Sequence, residues 1–419
     1  MLETYDCHSL YYLDLASAYE QKLKSARQQT AMREMTGELD NMRKAWDWGI
    51  IRRRFELLGE AVRSFGWYFE VAGLIRDGID QLELLVRVLS DIPRDTQMDR
   101  TLGTTLVQQG LLYFRLGHFV RAQELYRKAI GILRPLNEGA LLADALIFNG
   151  TITHLNGDYI EARKLIVEGL AYAREVNDRW FVAFGIYNLG HVDSLLGEYQ
   201  KGYDQMQEGM KIWRELGDPH SISLGLNFLV NTQIKLERFE EAKASMWESI
   251  SLCEQTKNRW GMGTAYRFLG LATLAEGQYT QAADFFRKSL EIFGEYYEGW
   301  DIALSLIYLG DATLMAGDLA SSEKAYWEAL QLAQKSGSTS LILDALAGLA
   351  ILDVHAGNNE RAWEITSFIL RHPSSTNEAK DRASGIQKEA GNHISLEQTQ
   401  RLEGVISNRS LEEMLNMLI

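Results

Sequence analysis

One register runs through most of this chain and limits what it can fold into. Gly110, Gly150, Gly190, Val230, Gly270, Gly310 and Ala350 stand 40 residues apart, and seven residues beyond them come Gly117, Gly157, Gly197, Glu237, Gly277, Gly317 and Gly357. A third column holds Ala122, Ala162, Gly202, Ala242, Ala282, Ser322 and Ala362, and a fourth Ala129, Gly169, Gly209, Ser249, Ser289, Ala329 and Ile369. Seven repeats follow from these columns, and an eighth, slightly offset, precedes them at Gly66, Gly73, Gly78 and Leu85. A period of this length means one supersecondary unit stacked on copies of itself.

The unit is a helical hairpin. Small residues in the first, third and fourth columns let two helices approach closely, and larger ones would overpack. The second column follows the last apolar residue of a helix, as in LYFRLGHFVRAQ, where a left-handed cap suits a residue without Cβ. Beyond it, Phe119, Ala122, Leu125, Tyr126, Ala129 and Leu133 mark one face of a second amphipathic helix. Val230 and Glu237 break the glycine frame in the fifth repeat, which predicts a local change of packing or curvature there.

Gly110 with Tyr113, Ala122 with Tyr126, and Leu269, Gly270, Ala282 and Phe286 follow the tetratricopeptide pattern, whereas HEAT repeats share the period and lack this spacing. The expected fold is all-α, a right-handed superhelical solenoid of tetratricopeptide-type hairpins. It should comprise a helical linker or cap over 1–60, about eight repeats over 61–371, and capping helices over 372–419. In the first segment helices are expected over His8–Leu23, Ala26–Ile51 and from Arg54 onward. In the last, Ser395 with Gln398 and Ser410 with Glu413 are capping-box spacings, starting two helices that run to Ile419.

Composition agrees. Four prolines in 419 residues leave long helices uninterrupted, and a net charge of −14 disfavours phosphate backbones and anionic lipid. Cys7 and Cys253 lie in unrelated contexts, which points away from a disulfide framework and towards a reducing, cytoplasmic setting. The start MLETYDCHSLYYLDLASAYEQK lacks the order of a signal peptide, and no run is long and apolar enough for a spanning helix. The sequons at Asn149 and Asn408 carry no weight in that setting. Residues 371–419 hold six Lys/Arg against seven Asp/Glu, unlike a DNA-reading helix-turn-helix.

HSLYYLDLASAYEQKLKSARQQTAMREMTGELDNMRKAWDW resembles the segment that follows the NTPase module in bacterial STAND signalling proteins, the group that includes MalT-like transcriptional regulators. NDRWFVAFGIYNLGHVDSLLGEYQKG and NRWGMGTAYRFLGLATLAEGQYTQA resemble that family's sensor repeats, and RHPSSTNEAKDRA with NRSLEEMLNMLI its tail. The resemblance implies a helical sensor that binds an inducer (small molecule, peptide or protein) and releases a nucleotide switch for assembly and output. No GxxxxGK[ST] phosphate loop occurs, so the chain resembles the sensor alone. The NTPase module is then expected upstream of Met1 in a longer parent protein; a true start at Met1 would favour a free-standing protein-binding scaffold.

No HExxH, GxSxG, GxGxxG or paired His/Cys cluster marks a catalytic, cofactor or metal site, leaving an enzyme whose groups converge from separate repeats as a third class. For binding, the first helix of each hairpin should line the concave side. The frame puts Tyr187 and His191, Asn227 and Asn231, Arg267 and Leu271, and Ile307 and Asp311 there, a polar strip suited to a polar ligand or peptide. Arg115, Asp144, His154 and Lys235 extend it or pair with one another. On this reading, alanine at Asn227 and Arg267 should weaken binding and leave stability near normal. Trp180, Trp260 and Trp300 share one repeat position with His220; they stack on a ligand or pack the corner between repeats, and Trp67 has the same ambiguity. The runs Arg52–Arg54 and Glu240–Glu241 read as solvated helix faces.

Overall fold

The computed structural model describes residues 2–155, 157–294, 299–406 and 409–417. Three helices come first: α1 (Leu2–Ser17), α2 (Glu20–Leu23) and α3 (Gln28–Ile51). Eight hairpins follow among the described residues. They pair α4 (Phe55–Ala72) with α5 (Ile75–Ser90), α6 (Thr96–Arg115) with α7 (Phe119–Leu133), α8 (Gly139–Leu155) with α9 (Tyr159–Glu175), and α10 (Arg179–Leu195) with α11 (Tyr199–Leu216). The next four pair α12 (Pro219–Lys235) with α13 (Phe239–Thr256), α14 (Arg259–Ala275) with α15 (Tyr279–Gly294), α16 (Trp300–Met315) with α17 (Leu319–Ser336), and α18 (Thr339–His355) with α19 (Asn359–Arg371). α20 (Asn377–Gly391), α21 (Leu396–Ile406) and α22 (Leu411–Asn416) close the chain. No strand occurs among the described residues, and the fold is an all-α hairpin solenoid of the tetratricopeptide type.

The first hairpin starts at Phe55, ahead of the expected residue 61, and the chain breaks helix at Ala18–Tyr19 where continuity to Leu23 was expected. Both capping boxes form: Ser395 N donates to Gln398 Oε1 (2.7 Å) and Gln398 N to Ser395 Oγ (3.2 Å), with the same reciprocal pair at Ser410 and Glu413. The expected run to Ile419, like the sequon at Asn408, lies outside the described residues.

Hairpin turns follow from backbone chemistry. Gly117, Gly157, Gly197, Gly277, Gly317 and Gly357 all hold φ between 78° and 89°, the left-handed region where an L side chain is strained. Glu237 adopts the same turn at φ 57°, and its amide and that of Arg238 donate to Ile234 O (2.9 Å) and Gln233 O (2.8 Å) as in the other repeats. The expected deviation in the fifth repeat is therefore absent at this turn, and Glu237 bears the strain of the left-handed backbone. Asp158, Asp178, Asp218 and Asp318 accept from amides of the helices they precede, satisfying donors that would otherwise be orphaned.

The first glycine column serves two packings. At Gly190 an added Cβ would stand 2.6 Å from the Gly202 carbonyl, a true backbone approach. At Gly110 and Gly270 it would instead meet the rings of Tyr126 (2.9 Å) and Phe286 (2.6 Å), so there the glycine makes room for an aromatic of the second helix.

The chain forms two compact units, Met1–Gly261 and Met262–Ile419. In the first, α6 is buried from Thr101 to Leu112 and α8 from Leu141 to Gly150, on every face. A hairpin helix facing solvent on its inner side would show a polar stripe. Here side chains of α4, with Lys24 from the turn after α2, cover that side, reaching α8, α10 and α12. The open trough expected along these hairpins is thus filled by the chain's own N-terminal helices. In the second unit Ala379, Ala383, Ile386, Leu402, Ile406 and Met414 of α20–α22 join the core of α16–α19.

Candidate functional site

The expected strip divides between the units. In the first, Tyr187 is buried, donates from its hydroxyl to Gly225 O at 2.6 Å and packs on Trp213; burial pushes the phenol well above its ordinary pKa. Asn227 is wholly buried, accepting from Ser249 Oγ (2.7 Å) and donating to Gly261 O (3.3 Å). Both are interior residues bridging neighbouring helices, which corrects their placement on an exposed surface. Alanine at Asn227 would remove both of these buried bonds, so a loss of stability is expected on this geometry.

His191 is half-buried beside buried His154, with ring centroids 4.9 Å apart, and burial lowers its pKa to about 4. His154 is lowered as well, by burial and then by His191, and its Nδ1 has no hydrogen-bond partner. Asn231 and Lys235 are exposed on α12.

The other first-unit candidates meet in a charged core. Glu70 of α4 accepts from Arg115 Nε at 2.7 Å and lies 3.2 Å from His220 Nε2. Burial opposes its charge, but Arg115 and His220 outweigh that and hold Glu70 down at about 2. Arg115 also faces Trp260, at 5.5 Å from the ring centroid. Arg63 of α4 meets Asp144 of α8 at 3.0 Å and Glu20 of α2 at 3.1 Å. Trp180 donates to Asp218 Oδ2 (2.8 Å) and meets Trp67 edge-on at 4.7 Å. Trp180 is therefore a corner between helices, and His220 in the same column contacts Glu70.

Sequence reasoning missed Lys24, Arg63 and Glu70, which face the expected strip. Their signal was charge at apolar helix positions, as at Glu70 within SFGWYFEVA.

In the second unit, Arg267 is buried; its guanidinium meets Asp301 Oδ1 at 2.8 Å and lies 5.9 Å from the Trp300 ring centroid. Its placement on an open surface is likewise corrected, since the neighbouring first helix supplies its counter-charge. Leu271 is half-buried and Ile307 buried. Asp311, half-buried, accepts from Tyr326 Oη (2.5 Å) and Arg382 Nη2 (2.6 Å), the latter reaching over from α20. Asp344 of α18 lies in the same field; burial and then Glu378 push it up to about 7, against the pull of Arg382.

The free thiols are Cys7, exposed, and Cys253, buried and pushed up to about 11 by that burial. No described helix is long and apolar enough to cross a membrane.

A family model for anaphase-promoting complex subunit 5 matches residues 146–236 and 266–356, and a tetratricopeptide repeat model matches residues 104–132. No curated protein matches the sequence. Among solved structures, the chain is similar to a Rap protein complexed with competence and sporulation factor, at 14% identity and TM-score 0.59, over 94% of this chain and 100% of that one. It is also similar to a signal transduction ATPase with numerous domains carrying a tetratricopeptide repeat sensor, from Pyrococcus horikoshii, at 14% identity and TM-score 0.53. That likeness covers 93% of this chain and 55% of the Pyrococcus chain. At such identities the likeness is one of fold, a tetratricopeptide-like stack of hairpins.

Proposed function

We propose that this chain is the sensing region of a STAND-type signal-transduction NTPase, binding an inducer on the side of its hairpins lined by the first helices. The inducer is a small molecule, peptide or protein segment, and an NTPase module of the same parent protein reads its occupancy. The observation that carries the reading is chemical. The first helices direct charged, aromatic and amide groups to their inner side, where stacking alone asks for leucine and alanine. The Pyrococcus protein, which carries a tetratricopeptide repeat sensor, shares the fold over 93% of this chain, and the linker and repeat segments resemble the same family. The groups still open to a ligand in the first unit are Asn231 with half-buried His191; in the second, Asp311 is already held by Tyr326 and Arg382. Tyr187, Asn227 and Arg267 hold the surface beneath.

Binding signals only if it differs between two states of the parent protein. Native mass spectrometry of the chain from its source cells should show a bound species whose affinity falls roughly tenfold, about 1.4 kcal/mol, in Asn231→Arg, with the melting temperature unchanged. Equal occupancy in the variant would move the site elsewhere. A chain that carries nothing, and is encoded without an in-frame phosphate loop upstream, would sink the sensor reading and favour the scaffold.

A further inference from the structure

Lys24 is the least expected residue in the first unit. Its side chain is 5% exposed, and its ammonium lies 5.1, 5.3 and 4.9 Å from the ring centroids of Trp67, Trp180 and Phe181. Lysine is almost never buried without partners, and this one has three aromatic faces and Glu20 Oε1 at 2.9 Å. The aromatics belong to the hairpins α4 and α10; the lysine comes from the turn beside α2, a single helical turn between two long helices.

The segment around α2 lies against the hairpins as a bound peptide would. Glu20, Leu23 and Lys24, at helical spacing, point inward, with Leu23 1% exposed and Glu20 3.1 Å from Arg63. The backbone joins through Ala26 N to Leu216 O (3.2 Å), and Gln28 donates to Asp218 Oδ1 (3.0 Å). Charges are balanced on each side separately. The segment brings Glu20 and Lys24, while the hairpins keep Arg63 and Asp144 paired at 3.0 Å. Withdrawing the segment leaves an ion pair behind rather than a lone buried charge, which would be far more costly. On the hairpin side, Trp67 Nε1 and Asp144 Oδ1 are buried without a hydrogen-bond partner. A cleft of about 80 Å³, lined by Glu20, Gly59, Arg63, Arg100, Thr101 and Leu141, opens beside the Glu20–Arg63 pair.

We infer that residues 18–28 are the resident occupant of a peptide-recognition site, and that the same site takes from a partner protein a helical turn carrying an acidic residue and, four positions later, a lysine. The aromatic cage of Trp67, Trp180 and Phe181 selects the cation, and Arg63 selects the acid. The partner turn and the chain's own α2 compete, so the site is closed until a partner of higher affinity arrives. This rests on the reading that the hairpins bind a ligand on their first-helix side.

The test uses the full chain with Glu20→Ala and Lys24→Ala, and a fluorescent peptide spanning residues 17–28, SAYEQKLKSARQ. The peptide should bind the variant saturably and about tenfold more tightly than the unaltered chain, and alanine for the peptide's second lysine, Lys24, should weaken it by a similar factor. No saturable binding to a variant with native helical content overturns the proposal. If the variant does not fold, hydrogen exchange on the unaltered chain decides. Amides of Leu23 and Ala26 that exchange about 100-fold faster than those of α8 support local release, and equal protection overturns it. An inducer that binds the chain while the peptide fails would leave the sensor reading standing and sink this one.

Discussion

Glu237 occupies a left-handed turn that six glycines fill in sister repeats. A non-glycine residue there is strained by about 1–2 kcal/mol, partly offset by the freedom glycine loses on folding. Glu237→Gly should therefore raise stability by about 0.5–1 kcal/mol in urea unfolding. The reverse case is Gly270, where even a methyl group would stand 2.6 Å from Phe286. Gly270→Leu should lose about 2–3 kcal/mol, because the ring has no space to yield into; a smaller loss than alanine at the same position would mean the contact is soft. Asn227→Ala removes the 2.7 Å bond from the Ser249 hydroxyl, which keeps Ser223 O at 3.1 Å, and the amide donor to Gly261 O, and should lose about 1–2 kcal/mol. Glycine positions were legible at this scale because a missing side chain has few uses. Tyr187, Asn227 and Arg267 were not, because a polar residue on an inner helix face reads alike whether water or another helix lies opposite.

Helices and their turns were the most legible level. Hairpin boundaries follow from glycine turns and aspartate caps, and both C-terminal capping boxes formed at the expected residues. What the period could not show is which distant element covers the inner side. In the first unit that element is α4 with the turn after α2, through Arg63, Glu70 and Lys24; in the second it is α20, through Arg382. These contacts span 71 to 150 positions for Arg382–Asp311 and Glu70–His220, beyond any 40-residue pattern. Arg382→Ala removes the cation from Asp311 and the bond to Tyr326, leaving two carboxylates unshielded on α16 and α18. The change should weaken docking of α20 by about 2 kcal/mol. Limited proteolysis after Lys380 or Lys388 should accelerate accordingly, with α16–α19 still protected; unchanged cleavage would mean that apolar contacts alone seat the helix.

Across the whole chain, buried titratable groups give the units different responses to acid. The neutral pair His154 and His191 lies in the first unit, with His191 near 4 when folded against about 6.5 unfolded. The unfolded chain binds the extra proton between those values, so this contribution is complete above pH 6.5 and is lost as pH falls towards 4. Asp344, in the second unit, runs the other way. Its folded value near 7 exceeds the ordinary 3.8, so its contribution is complete below pH 3.8 and is lost as pH rises through 7. Each shift is on the order of 2–3 kcal/mol at most once partial exposure and neighbouring charges are allowed for. Hydrogen exchange resolved by unit isolates the two terms when variants are compared with the unaltered chain. His191→Asn should flatten the loss of protection in α8 and α10 between pH 6.5 and 4. Asp344→Asn should raise protection in α18 and α20 at pH 8 and leave it nearly unchanged at pH 4. If Asp344→Asn changed protection equally at both values, the carboxyl would be ionised throughout, and the field of Arg382 rather than burial would govern it.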